Sequence, residues 1–117
     1  MRPTLAGRPA NDDVLLWEAK MAELNEKESA ALRRLIGHAK RDTGQSRRVA
    51  DFLLAWWNPA QCGGFDFTTM WGCDEEISED MIVVFAYVAR NNRYPDTLGF
   101  EADFADIIRV WRPELED

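Results

Sequence analysis

Residues 77–88 read ISEDMIVVFAYV, and the fold class turns on whether they coil or extend. The run Met81-Ile82-Val83-Val84-Phe85 is β-branched enough to pass for a buried strand. The wider spacing favours a helix. Ile77, Met81, Val84, Phe85 and Val88 stand at offsets of 0, 4, 7, 8 and 11, which places them along one side of a coil. Asp74 sits where a cap belongs, and Glu75 and Glu76 follow it at the positive end of the helix dipole. On this reading all five apolar side chains point into the core.

The flanking segments repeat the pattern. Phe100, Phe104, Ile107, Ile108 and Trp111 keep the same offsets, and Pro113 stops that helix. Upstream, Ser46 is the expected cap of a helix carrying Val49, Phe52, Leu53, Trp56 and Trp57, ended at Asn58-Pro59 because the residue before proline avoids the helical region. Ala50 and Leu54 widen its apolar arc, so it is either central or covered by a partner. Leu32, Leu35, Ile36 and Ala39 mark a helix over residues 29–41, with Gly44 as its stop and the polar residues 25–28 before it. Leu16/Trp17, Met21 and Leu24 mark another over residues 14–24, capped by Asn11, Asp12 or Asp13. Asp66 opens a short helix over residues 67–71 that Gly72 ends. The sum is an all-α protein, an irregular compact bundle of about five to six helices forming one domain. Residues 1–10, with Pro3, Gly7 and Pro9, read as a flexible leader, residues 11–113 as the helical domain and residues 114–117 as a frayed acidic tail.

Charge separates the chain into halves. The formal net charge is −7; residues 1–48 hold ten basic and seven acidic groups, and residues 49–117 hold four basic and fourteen acidic. That balance argues against free binding of nucleic acid and points to a protein partner, with a basic one suited to it. No segment reads as a signal peptide, and the longest apolar run, residues 81–89, is too short to span a bilayer. Cys62 and Cys73 are therefore expected as reduced thiols in a cytoplasmic protein that makes no membrane contact.

No catalytic set emerges. His38, the sole histidine, has no cysteine or second histidine at ligand spacing, and Cys62 has no orienting base in sequence. No metal and no cofactor is expected. Two charged clusters remain. Asp74, Glu75, Glu76, Glu79 and Asp80 form an acidic surface suited to a basic partner, or else serve only the helix dipole. Arg33, Arg34, Lys40, Arg41, Arg47 and Arg48 straddle a turn and could gather at one corner to hold phosphate. Trp57, at the edge of its helix's buried arc, would join Arg41, Arg47 and Arg48 in such a surface.

Several segments together resemble a family of small bacterial proteins of no assigned activity. They are RDTGQSRRVA at residues 41–50, FLLAWWN at 52–58, CGGFD at 62–66, Tyr94-Pro95-Asp96, and Ile108-Arg109-Val110-Trp111-Arg112-Pro113. The resemblance covers about residues 29–113. It implies an accessory product of proteobacterial plasmids and integrated mobile elements, and it carries over no catalytic residue. The expected function is therefore a non-enzymatic interaction protein that modulates a macromolecule of the host or element, an acidic inhibitor being one form of it. The alternative is a nucleic-acid-associated module working through the arginine corner.

Overall fold

The computed structural model describes residues 23–116, and every regular element in that range is helical. In chain order they are α1 (Glu26–Ala39), α2 (Gly44–Trp57), the short α3 (Pro59–Cys62), α4 (Glu75–Arg90) and α5 (Glu101–Trp111). Short 3-10 segments occupy Phe67–Gly72, Pro95–Leu98 and Pro113–Leu115. The all-α expectation holds, and the stretch that could have been a strand lies inside α4. The leader, and all but the last two residues of the helix expected over 14–24, lie outside the described residues.

Local chemistry sets the boundaries, in places not where expected. α1 starts three residues early because Asn25 and Glu28 form a reciprocal box: the Asn25 side chain accepts from the Glu28 amide at 2.8 Å, and Glu28 accepts from the Asn25 amide at 2.9 Å. Gly44 does not stop α1; it is the first residue of α2. The cap of α2 is Thr43, whose extended backbone lets its hydroxyl accept from the Ser46 amide at 3.0 Å. Ser46 is buried inside the first turn with its own hydroxyl 2.7 Å from that of Thr43. α2 ends at Asn58 as expected, and the Asn58 side chain caps α3 with Pro59 in first place. Within the tail, Leu115 packs on the core from the last 3-10 turn, and Asp117 lies outside the described residues.

α1 is the spine. Ala31, Leu32, Leu35, Ile36 and Ala39 are buried along it, and it packs against both α2 and α4. α5 closes the bundle, with Phe104 and Ile107 fully buried. Phe104 meets Trp56 and Trp57 edge-on, with ring centroids 6.2 and 6.1 Å away. Trp57 is half-buried, packed against Phe104. The indole of Trp111 donates to the Ala39 carbonyl at 2.7 Å, satisfying an acceptor that α1 leaves open at its end. Arg112 ties the C-terminus down, donating to the Cys62 carbonyl at 3.1 Å and to Asp51 at 2.7 Å.

Between α1 and α4 the Arg34 guanidinium grips Asp80 through two hydrogen bonds of 2.8 and 2.9 Å. The carboxylate is almost buried while the guanidinium is over half exposed. Losing Arg34 therefore strands a desolvated charge, whereas losing Asp80 leaves a cation that water can reach. Arg34→Ala is expected to lower the thermal midpoint more than the double change Arg34→Ala with Asp80→Ala, measured by circular dichroism. Phe104→Ala should cost about 3–5 kcal/mol in urea unfolding, the range for an emptied aromatic core site. On α5, hydrogen bonding from Arg109, with help from Lys40, holds the Asp106 carboxyl below its ordinary value of 3.8. A lowered folded-state value means that its stabilisation is complete above the ordinary value and is lost as pH falls through the folded one. Asp106→Asn should accordingly be less stable than the parent at neutral pH, and the gap should close on acidification below about pH 4.

Candidate interaction surface

The buried stripe of α4 keeps Ile77, Met81 and Val84 of the expected five but not Phe85. Ile77, Asp80, Met81, Val84 and Tyr87 face inward, whereas Phe85 is 51% exposed and Ile82 60%. The cause is the choice of neighbour. α4 packs chiefly on α1, where Asp80 meets Arg34, and touches α2 less, through Tyr87 edge-on to Trp56 with centroids 6.5 Å apart. Phe85 and Val88, on the flank toward α2, are left at the edge of an open cleft.

Phe52, Ala55 and Trp56 of α2 form one wall of that cleft, since positions three and four apart share a helix face. Val84, Phe85 and Val88 of α4 form the other, and Phe65 and Phe67 from the connecting loop complete it. Its volume is about 310 Å³. A second hollow of about 250 Å³ adjoins it, lined by Phe52, Phe67, Met70, Ile82 and Phe85. Phe67 and Phe85 meet edge-on across the boundary with centroids 6.2 Å apart, and Phe52 does the same with Phe65 at 5.3 Å. Every lining residue of both hollows is apolar, proline or glycine. Phe67 at 68% and Trp71 at 84% exposure extend the apolar surface along the loop.

The loop is held by polar contacts below it. Asp66 accepts from the amide and hydroxyl of Thr68 at 2.9 and 2.8 Å, which starts the 3-10 turn. Arg48 donates to the Gly72 carbonyl at 3.3 Å, and Gln45 brackets Asp74, accepting from its amide at 2.7 Å. The Arg48 and Gln45 contacts fix the C-terminal end of the aromatic segment to α2.

The acidic cluster divides. Asp80 is taken by Arg34, and Asp74 is engaged by Gln45 and makes no side-chain cap bond to α4. Glu75, Glu76 and Glu79 remain exposed. Glu75 and Glu79 lie two turns and one turn before Ile82, neither lines the apolar hollows, and Glu79 stands on the α1 flank beside Arg34 and Asp80.

The basic cluster does not gather. Arg33 stacks on the Phe100 ring at 5.2 Å, Arg34 holds Asp80, and Lys40 reaches Asp103 and Asp106 at 2.7 and 3.4 Å. Arg48 is drawn to Gly72, leaving Arg41 and Arg47 exposed at the turn between α1 and α2. Neither thiol is set up as a nucleophile: burial pushes both Cys62 and Cys73 up, against a smaller opposing pull from Arg112 and Arg48 respectively. Cys62 sits by Arg112, while His38 lines a separate hollow with Arg34, Glu76 and Ile77. Among the described residues, no group of three or more His, Cys, Asp or Glu side chains could hold a metal ion, and no helix is long and apolar enough to cross a membrane.

Sequence spacing alone missed this surface because Phe85 matched the core pattern. The one available signal was that Ile82, Val83, Val84 and Phe85 run together, more apolar breadth than one neighbouring helix can cover. If Ile82 and Phe85 serve a surface, charging them should be cheap. Ile82→Asp and Phe85→Asp are each expected to cost about 1 kcal/mol or less in urea unfolding, whereas Val84→Asp, in the same helix but fully buried, should prevent folding.

Comparison with curated proteins finds no match, and comparison with solved structures finds none either. A family model does match, over residues 29–112, a span that takes in every wall of the cleft, both charged clusters and the Arg112 anchor. The chain belongs to that family, the family of unknown function DUF7673.

Proposed function

We propose that this protein is a non-enzymatic docking protein that binds a protein partner through the cleft between α2 and α4. The observation that carries the reading is the joined pair of apolar hollows, walled by Phe52, Trp56, Phe67, Ile82 and Phe85 and open to solvent. Contiguous exposed apolar surface is costly in water and characteristic of interaction sites. Large aromatic side chains dominate the energetics of such sites. Glu75, Glu76 and Glu79, exposed on the first turns of α4, favour a basic partner.

The wider role is the modulation of a macromolecule of the host or of a mobile element that carries this gene, acting by occupation and not by turnover. The bulk charge of −7 supports an acidic inhibitor of a basic partner. The nucleic-acid reading has less behind it, since Arg33, Arg34 and Lys40 are each engaged within the fold.

The test is affinity capture from the native host with parent, Phe85→Asp and Arg47→Ala proteins, followed by purification of what the parent retains and measurement of its Kd. Loss of a hot-spot aromatic costs about 2 kcal/mol or more, so Phe85→Asp should weaken binding about 30-fold while Arg47→Ala leaves it unchanged. A retained partner that binds Phe85→Asp as well as the parent would remove the cleft from the function.

A further inference from the structure

We infer that the hollow beside the start of α1, where Arg33 and Arg93 come together, is a binding site for a phosphate dianion, free or carried as a monoester. The inference goes beyond the docking function, since none of the residues around this hollow lines the apolar cleft.

The two arginines are far apart in sequence, one on α1 and the other in the loop before the Pro95–Leu98 turn. The fold brings both to one hollow of about 230 Å³, with Ser29, Thr97 and Phe100 around them. That is several times the ~30 Å³ share of one water molecule, enough for a tetrahedral oxyanion with part of its hydration shell.

Each guanidinium is held before any ligand arrives. The Nε of Arg93 donates to the Thr97 hydroxyl at 3.1 Å, and a terminal nitrogen donates to the Thr97 carbonyl at 2.8 Å. The Arg93 carbonyl in turn accepts from the Trp56 indole at 3.0 Å, which ties this loop to α2. Arg33 stacks on the ring of Phe100, a buried residue, at 5.2 Å, and its Nε reaches the Ser29 hydroxyl at 3.4 Å. Both side chains are thus anchored through Nε and keep N–H donors on their terminal nitrogens.

The charge around the hollow is unbalanced. Arg34, Arg109 and Arg112 each hold a carboxylate, whereas among the described residues Arg33 and Arg93 form no ion pair. Glu23 is the third charged group at the hollow, and it offsets part of the positive charge without bonding either guanidinium. Two cations that share a hollow repel each other, and an anion between them relieves the repulsion. A carboxylate is satisfied by one guanidinium and leaves the second uncompensated. A phosphate dianion has the charge and the three acceptor oxygens to engage both.

The test is a titration of the full-length, nitrogen-15-labelled protein, followed by NMR through the arginine Nε–H signals. It is run at about pH 8, above the second ionisation of a phosphate monoester near 6, with sodium chloride adjusted to hold ionic strength constant. The probes are inorganic phosphate, a blocked phosphoserine tripeptide and acetate. Saturable shifts of the Arg33 and Arg93 signals are expected with a phosphate probe, at an affinity at least about tenfold above that of acetate. Tighter binding of inorganic phosphate assigns the site to the free ion, and tighter binding of the tripeptide assigns it to a phosphorylated side chain. Arg33→Gln should weaken binding about tenfold, the loss of one charge-assisted contact, and Glu23→Gln should strengthen it about threefold. Arg41→Gln with Arg47→Gln, at the turn between α1 and α2, should leave it unchanged. Arg93→Gln also removes the Thr97 contacts, so Arg93→Lys accompanies it and circular dichroism checks the fold of both. Absence of saturable binding, acetate binding as tightly as phosphate, or an affinity unchanged in both Arg33→Gln and Glu23→Gln overturns the inference, whatever the Arg93 variants do.

Discussion

One apolar arc on α1 has to serve two helices. Ala31, Leu32, Leu35, Ile36 and Ala39 spread over less than half the helix circumference, and both α2 and α4 pack against them. Each neighbour takes part of the arc, so α2 and α4 diverge from the spine and touch each other only slightly. The cleft is the geometric consequence. Close packing at α1 leaves a gap on the far side, and the chain fills it only in part with Phe65 and Phe67 from the connecting loop.

The polar contacts of the fold reinforce that division. Arg34 and Asp80 pin α4 at the edge of α1, and the nearly dry carboxylate makes the attachment specific. On the other side, Trp56 and Trp57 bracket Phe104, while Trp56 donates to the Arg93 carbonyl at 3.0 Å. Trp56 therefore holds its place through the core and presents another edge to the cleft. A wall anchored in this way loses little side-chain freedom when a partner arrives, which is how rigid aromatics contribute affinity.

Charge follows the same logic. Three cations of the first half of the chain, Arg33, Arg34 and Lys40, are spent within the fold, on Phe100, on Asp80, and on Asp103 and Asp106. Glu75, Glu76 and Glu79 stay exposed in the first turns of α4, with Glu76 and Glu79 on the side of Arg34.

What the sequence determined by itself was the class of fold and most of its helices, because apolar spacing at three and four is a local property that survives any arrangement of neighbours. The pattern over residues 77–88 was enough to choose coil over extension, and Asn58-Pro59 was enough to end α2, since both act through adjacent backbone. Caps were legible only in kind: Thr43 and Ser46 are both competent, and the extended backbone at Thr43 decided between them. Which flank of α4 is buried could not be read at all. Phe85 and Val84 are equally apolar, and the difference between them arises from where α1 and α2 stand. Ion pairs across 46 and 63 positions, Arg34 with Asp80 and Lys40 with Asp103, likewise exist only once the helices are docked. Tertiary packing alone therefore dispersed the expected arginine corner, divided the acidic cluster and opened the apolar cleft, because long-range contact decides which side of an amphipathic helix meets water.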